Sequence, residues 1–448
     1  MQSFLFFIFS LAIIITVHEY GHFWVARRCG VKVLKFSIGF GKPIWQKIGQ
    51  DGTKYVLAMI PLGGYVKMLD EREGEVPKED LNQTFNRKSL GSRVAIVFAG
   101  PIANLLFAVF AYWLIFVTGI AGIKPIVSQV EISSPAEIAQ LLPGDEIHSV
   151  NGNKTPTLAS FRNALAQVAE VGGRVELTIE KEGEQQQRSL IIPQQTTLAD
   201  KPTNLLKQLG LIPVLYQLRP VVGAVVANKA ADAGGLRVGD VIISSNSQVV
   251  THWAEWVNII RDSPNQLLDV EIQRQGVRHT LQIMPIETEG KIGVIGAGVD
   301  VSATIVPEEL EAELRFGPLS SLLEAIKMTG EISFITIKSF VGILLGDISS
   351  KNLGGPIAIA QFAGTSADRG LISFISFLAV ISISIGILNL FPIPILDGGH
   401  LIMYFFEWIR GKPLSEEVQL KSQKVGLVLL LTLMLFAFFN DLLRLFGL

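Results

Sequence analysis

Four stretches of this chain carry no charged residue: 1–17, 94–123, 371–396 and 425–440. Hydrocarbon is crossed by about 20 apolar residues in a helix. The second and third stretches reach that length. The first does so if it runs on to Val25, and the fourth continues through Leu442 and Leu443. A cleaved secretory signal is the rival for the first, but no basic segment precedes it and no small-residue cleavage site follows. A buried amphipathic helix is the rival for the fourth. Charged residues make up 17% of the chain and mean hydropathy is +0.42. Soluble domains carry about 25% charge, so composition also favours a membrane protein. A net charge of −2 gives no reason to expect nucleic-acid binding. The single cysteine, Cys29, excludes an internal disulfide framework and an iron–sulfur cluster.

Lysine and arginine orient the four spans. The segment 26–93 holds thirteen of them, 401–424 holds four, and none precedes Arg27. The positive-inside rule puts both segments in the cytoplasm and the N-terminus outside. The long polar segment 124–370 then lies on the far side.

That segment contains a repeat. Leu141-Leu142-Pro143-Gly144-Asp145 lines up with Leu236-Arg237-Val238-Gly239-Asp240, Ile147 with Ile242 and Phe161 with Trp256, all at an offset of 95. Each copy continues into alternating strands around a glycine turn, at Gly183 and Gly276. The period is too long for a solenoid unit. It predicts two copies of one small, mostly β domain.

The chemistry starts at His18-Glu19-Tyr20-Gly21-His22. Residues four apart share a helix face, so His18 and His22 can hold one metal ion while Glu19 reaches a water on it. Zinc suits two imidazoles, a carboxylate and one open position. Interfacial residues capping a span are the plainer reading, but ionisable groups at the end of an apolar run are costly and seldom lack a role. A third ligand is needed. His148, His252 and His279 fall in the far-side repeat. Asp397 closes Asn389-Leu-Phe-Pro392-Ile-Pro394-Ile-Leu-Asp397-Gly-Gly-His400, at the cytoplasmic end of the third span. The two prolines break the helix there, and irregular backbone at membrane depth must line protein or a wet cavity. A helix-end turn residue is the alternative for Asp397. His400 is the weaker ligand candidate.

Together, His18-Glu-x-x-His22 and Asn389-x-x-Pro-x-Pro-x-Leu-Asp397-Gly resemble the paired signatures of the site-2 intramembrane metalloproteases, and the tandem repeats resemble PDZ domains. The resemblance covers essentially the whole chain. It implies zinc held by His18, His22 and Asp397, with Glu19 as catalytic base. It implies substrate contacts from Asn389, Gly63, Gly64, Tyr65, Pro392 and Pro394. Phe98-Ala-Gly-Pro-Ile-Ala-Asn104 looks like the family's packing motif beside the active helix. The stretch 59–68 looks like its membrane-associated β-hairpin, where an ordinary loop hairpin is the alternative. The edge of that hairpin would capture an unwound substrate strand.

The implied fold is a multi-pass α-helical membrane protein with four transmembrane helices, two tandem periplasmic PDZ-like domains and a cytoplasmic-side β-hairpin. Its expected boundaries are 1–25 (first span), 26–92 (loop with hairpin), 93–123 (second span), 124–215 and 216–305 (PDZ-like), 306–370 (amphipathic linker), 371–397 (third span), 398–424 (loop) and 425–446 (fourth span). The implied activity is site-2 cleavage, in the bacterial inner membrane, of a pre-trimmed single-pass protein. The implied substrates are an anti-sigma factor and remnant signal peptides. On the family's account the PDZ pair acts as a size filter, or it only covers the site. Rival readings are a non-catalytic PDZ adaptor and a membrane-anchored zincin for soluble substrates.

Overall fold

The computed structural model describes residues 2–446 apart from 170, 182, 194–201, 215, 216, 227, 289, 301, 302, 304, 305 and 348–353. The expected borders at 215/216 and 305 therefore lie outside the described residues. The chain divides into two compact units, Met1–Ile120 with Arg315–Leu448, and Ala121–Leu314.

The first unit is built on helices α1 (Gln2–Arg28), α2 (Leu90–Thr118), α3 (Pro318–Leu345), α4 (Pro356–Asp368), α5 (Leu371–Asn389), α6 (Asp397–Arg410) and α7 (Glu416–Phe446). Among the described residues, α1, α2, α5 and α7 are long and apolar enough to cross a membrane. Between lipid-embedded helices there is little hydrophobic driving force, so close packing of small residues has to hold them. That is what α1 and α2 show. A Cβ on Gly21 would overlap the Ala99 carbonyl oxygen and lie 2.8 Å from the Ala103 Cβ. Ala111 and Ile115 of α2 pack with Ala325 of α3 and with Ala379 and Ile383 of α5. Helix α7 is tied to α4 by Asp441, whose carboxylate accepts from the Gly355, Ile357 and Ala358 amides at 2.9–3.1 Å. These amides belong to the first turn of α4, where unpaired donors and the helix dipole favour an anion.

Several boundaries differ from the sequence reading. Helix α2 ends at Thr118 rather than 123, because Gly119 takes φ +96° and Ile120–Ile123 becomes a strand. Helix α5 stops at Asn389, and Asp397 opens a new helix rather than closing the span. The expected loop 398–424 therefore contains α6. Gly398 and Gly399 lie within the first turn of that helix. Helix α7 begins at Glu416, nine residues earlier than expected. In the linker 306–370, α3 runs for 28 residues between Gly317 and Gly346, and Gly346 ends it at φ +84°.

The stretch 59–68 is not a self-contained hairpin. It belongs to β2 (Lys54–Met68), which folds back on β1 (Val33–Ile48): 54–58 pair antiparallel with 43–48, and 64–67 pair antiparallel with 35–38. Residues 35–38 thus lie between 54–57, which they meet in parallel register, and 64–67. Residues 58–63 arch from one side to the other, and Gly63 takes φ +144° in the arch. The pairing partner of 64–67 lies about thirty residues upstream, a register that local turn signals cannot reveal.

The second unit holds two β modules of the same topology. In the first the strand order is Asn153–Lys154, Glu146–Val150, Gly173–Lys181, Glu184–Ile192. In the second it is Gln248–Val249, Val241–Ser245, Leu268–Arg274, Val277–Ile283. Helices Leu158–Ala169 and Trp253–Arg261 cover them through Phe161 and Trp256, 2% and 0% exposed. The shared Gly-Asp is a turn device. Asp145 accepts from the Leu142 amide at 2.8 Å and Asp240 from the Arg237 amide at 2.7 Å.

Candidate metal centre

Helix α1 carries His18, Glu19 and His22, and the start of α6 carries Asp397. Three donor atoms from these two helices meet. His18 Nε2 is 3.2 Å from His22 Nε2, and Asp397 Oδ2 is 3.2 Å from His18 Nε2 and 3.5 Å from His22 Nε2. Their side chains are 11%, 12% and 17% exposed in the order His18, His22, Asp397. Among the described residues this is the group of His, Cys, Asp and Glu side chains that could hold a metal. A tetrahedral zinc holding donors at about 2.0–2.1 Å sets neighbouring donors about 3.3–3.4 Å apart. The observed triangle fits that edge. Asp397 Oδ2 is buried and makes no well-formed hydrogen bond, although buried carboxylate oxygens are costly without one. A cation at the centre of the triangle would satisfy all three atoms.

The approach of α2 shapes the site. A Cβ on Gly100 would overlap His22 Nε2 and lie 2.6 Å from His22 Cε1 and 2.9 Å from His18 Cε1. Only glycine lets α2 press against both rings. Four residues back on the same face, the Ile96 carbonyl accepts from His22 Nδ1 at 2.8 Å. That bond puts the ring proton on Nδ1 and leaves Nε2 with its lone pair. Asp397 is placed by the irregular segment 390–396. There Ile395, a β-branched residue, takes φ +107°, an outlier that the surroundings must hold. Gly398 and Gly399 admit the returning backbone, because a Cβ on either would overlap the carbonyls of Leu390 and Ile393 respectively. Helix α6 is fastened to α2 by a bidentate ion pair. Arg93 donates to Glu407 at 2.6 and 3.0 Å, and its guanidinium lies 5.1 Å over the Tyr404 ring.

The remaining sequence candidates fall in different places. Gly64 is against the site: a Cβ there would lie 2.9 Å from Glu19 Cγ, from Ile15 Cγ2 and from the Ser37 carbonyl oxygen. Gly63 is turned away, under the Phe40 ring. Tyr65 is engaged within the sheet, stacked on Phe40 at 6.0 Å and accepting from Lys35 Nζ. Asn389 is the last residue of α5 and is half-buried. Pro392 and Pro394 line a cleft with Gly399 and Ile402. Sequence reasoning missed Arg93 and Glu407, and it read Gly100 and Asn104 only as packing. The signal was available: 96, 100 and 104 are spaced four apart and share one face of α2.

Residues 6–433 match the sequence profile of peptidase family M50. The chain belongs to that family. It is 43% identical over 444 residues to the regulator of sigma-E protease RseP of Salmonella typhimurium, covering 98% of each chain. It is 42% identical over 442 residues to the protein of that name from Escherichia coli K12, again with 98% of each covered. A putative zinc metalloprotease of Vibrio cholerae serotype O1 is 42% identical over 450 residues, with 99% of each covered. Among solved structures, the PDZ domain of an SdrC-like protein from Listeria monocytogenes aligns with 20% of this chain and 93% of its own, at 17% identity and a TM-score of 0.17. The resemblance read from the two motifs is thus borne out. This M50 protein is a zinc metalloprotease of the site-2 type, and the adaptor reading is set aside.

Proposed function

We propose that this M50 protease cuts single-pass membrane proteins within their membrane segment, after the outer part has been trimmed. Its physiological substrate on this reading is an anti-sigma factor, with remnant signal peptides as a second class. The relatives' names, regulator of sigma-E protease, support the first. The basic residues of 26–93 support a cytoplasmic-side site in the bacterial inner membrane, with both β modules, read as PDZ domains, in the periplasm. There the two modules would screen out substrates whose outer domain is still in place.

The observation that carries the proposal is the donor triangle of His18, His22 and Asp397, set between helices apolar enough to cross a bilayer. These three residues would hold the zinc. When bound, the ion would supply Lewis-acid activation of water and of the scissile carbonyl. Glu19 takes the water's proton on its carboxylate and passes it to the leaving amide nitrogen. A helical substrate hides its peptide bonds in i→i−4 hydrogen bonds, so the scissile segment has to unwind first. Residues 64–67 pair with 35–38 on one side and, among the described residues, with no strand on the other. That free edge can take up the unwound segment by strand addition. Gly64 brings the edge against Glu19, and Asn389 contributes amide donors and an acceptor to hold the strand.

The test is co-expression with a tail-truncated single-pass protein, comparing wild type with Glu19→Gln. The variant should keep stoichiometric zinc and lose about 10²–10⁴-fold in cleavage rate. Cleavage restricted to soluble peptides, with membrane segments refused, would overturn the reading.

A further inference from the structure

Both imidazoles of the donor triangle point Nε2 inward. A ring that offers Nε2 to a cation carries its proton on Nδ1, and an acceptor there fixes both tautomer and ring angle. His22 has the Ile96 carbonyl for this purpose. His18 has instead the side chain of Asn104, whose amide nitrogen lies 3.3 Å from Nδ1. Asn104 is 0% exposed, and its Oδ1 has no hydrogen-bond partner. The two ends of a carboxamide exchange places by a half-turn with almost no change in shape.

Only one of the two orientations is compatible with the triangle. With Nδ2 toward the ring, His18 must accept at Nδ1. A neutral ring would then carry its proton on Nε2, aimed at His22 and Asp397. With Oδ1 toward the ring, His18 Nδ1–H donates and the Nε2 lone pair faces the triangle. We infer that Asn104 is the positioning residue of His18: its carboxamide oxygen accepts from Nδ1 and holds the ring in the ligating tautomer. The inference rests on the metal-centre reading above. The Asn104 backbone is well placed for the task. Its carbonyl accepts from Ser382 Oγ of α5 at 2.9 Å, and Ser382 is itself 0% exposed. A Cβ on Gly386 would lie 3.2 Å from the Asn104 Cβ, so α5 crosses closely at this point.

The experiment measures zinc affinity of the purified full-length protein by chelator competition, alongside thermal unfolding. Asn104→Leu keeps the size and removes the acceptor, and Asn104→Asp keeps the acceptor. Asn104→Leu should lose about 10–100-fold in zinc affinity, whereas Asn104→Asp should stay within a few-fold of wild type. Asn104→Ala, smaller than the native residue, reads the same loss if the leucine variant does not fold. Wild-type affinity in Asn104→Leu or Asn104→Ala would overturn the inference. So would an equal loss in Asn104→Asp, because the acceptor would not then be the working feature. His18→Ala separates this from failure of the metal centre itself. If His18→Ala binds zinc like wild type, the ligand assignment falls. If it loses zinc while Asn104→Leu does not, the role of Asn104 falls alone.

Discussion

Gly100→Ala should disable the site without disturbing the helix that carries it. The added methyl would stand 2.6 Å from His22 Cε1 and 2.9 Å from His18 Cε1. Carbon–carbon contacts settle at about 3.5–4.0 Å, so the rings must retreat by roughly 0.9 Å and 0.6 Å or more. Metal sites tolerate about 0.2 Å in ligand distance. The donor triangle, with edges of 3.2, 3.2 and 3.5 Å, would therefore be broken. A misplacement of about 1 Å costs on the order of 10²-fold in rate. Helix α2 itself gains, since alanine is favoured over glycine in a helix interior by about 1 kcal/mol. Gly91→Ala on the same helix is the control, because a Cβ there meets nothing within 4 Å. The assay is zinc content after dialysis against a chelator, with cleavage of a transmembrane reporter and circular dichroism in parallel. Gly100→Ala should lose both zinc and cleavage at unchanged helix content, and Gly91→Ala should lose neither. A Gly100→Ala protein that holds stoichiometric zinc and cleaves at the wild-type rate would refute the packing argument.

Three other perturbations have defined outcomes. Gly64→Val drives a branched side chain into Glu19 Cγ and Ile15 Cγ2, both already within 2.9 Å of a Cβ. Cleavage should fall at least tenfold while zinc content stays at one per chain, and loss of zinc would count against the strand acting through Glu19. Arg93→Ala leaves Glu407 without its bidentate partner, and both side chains are 14% exposed. Breaking such a pair costs about 3 kcal/mol, so the melting temperature should drop by several degrees, and an unchanged melt would show that the pair does not hold α6. In the second β module, hydrogen bonds from Thr251 keep the Glu255 carboxyl below its usual 4.5. A depressed folded-state value stabilises above the unfolded pKa and is lost as pH falls through the folded one. Glu255→Gln should therefore flatten the acid limb of the stability curve below about pH 4.5, as read by melting temperature against pH.

What could be read from the sequence was whatever depends on local spacing and on the cost of polarity in an apolar run. His18 and His22 were legible because a four-residue spacing is a helix face. Asp397 was legible because two prolines and an acid cannot sit idle beside a span. Glu407 and Arg93 show the opposite case. They are 314 residues apart, and each alone reads as an ordinary charge at a helix end. The pairing of β2 with β1 was out of reach of the sequence for a related reason. The glycines of 59–68 advertise a turn, but 64–67 pairs with residues thirty positions earlier, and only the arch at 58–63 makes that possible. Asn104 lies between these extremes. A buried amide in a membrane helix announces that it has a partner, since unsatisfied polar groups are costly there. Which partner it has depends on the rotation of α2 against α1, and that is set by the contact of Gly21 with Ala99 and of Gly100 with the two rings. The small residues that look like packing thus decide the chemistry. They bring the backbones close enough for a side chain on α2 to reach the far nitrogen of a ligand on α1, a distance that one methyl group at either glycine would open.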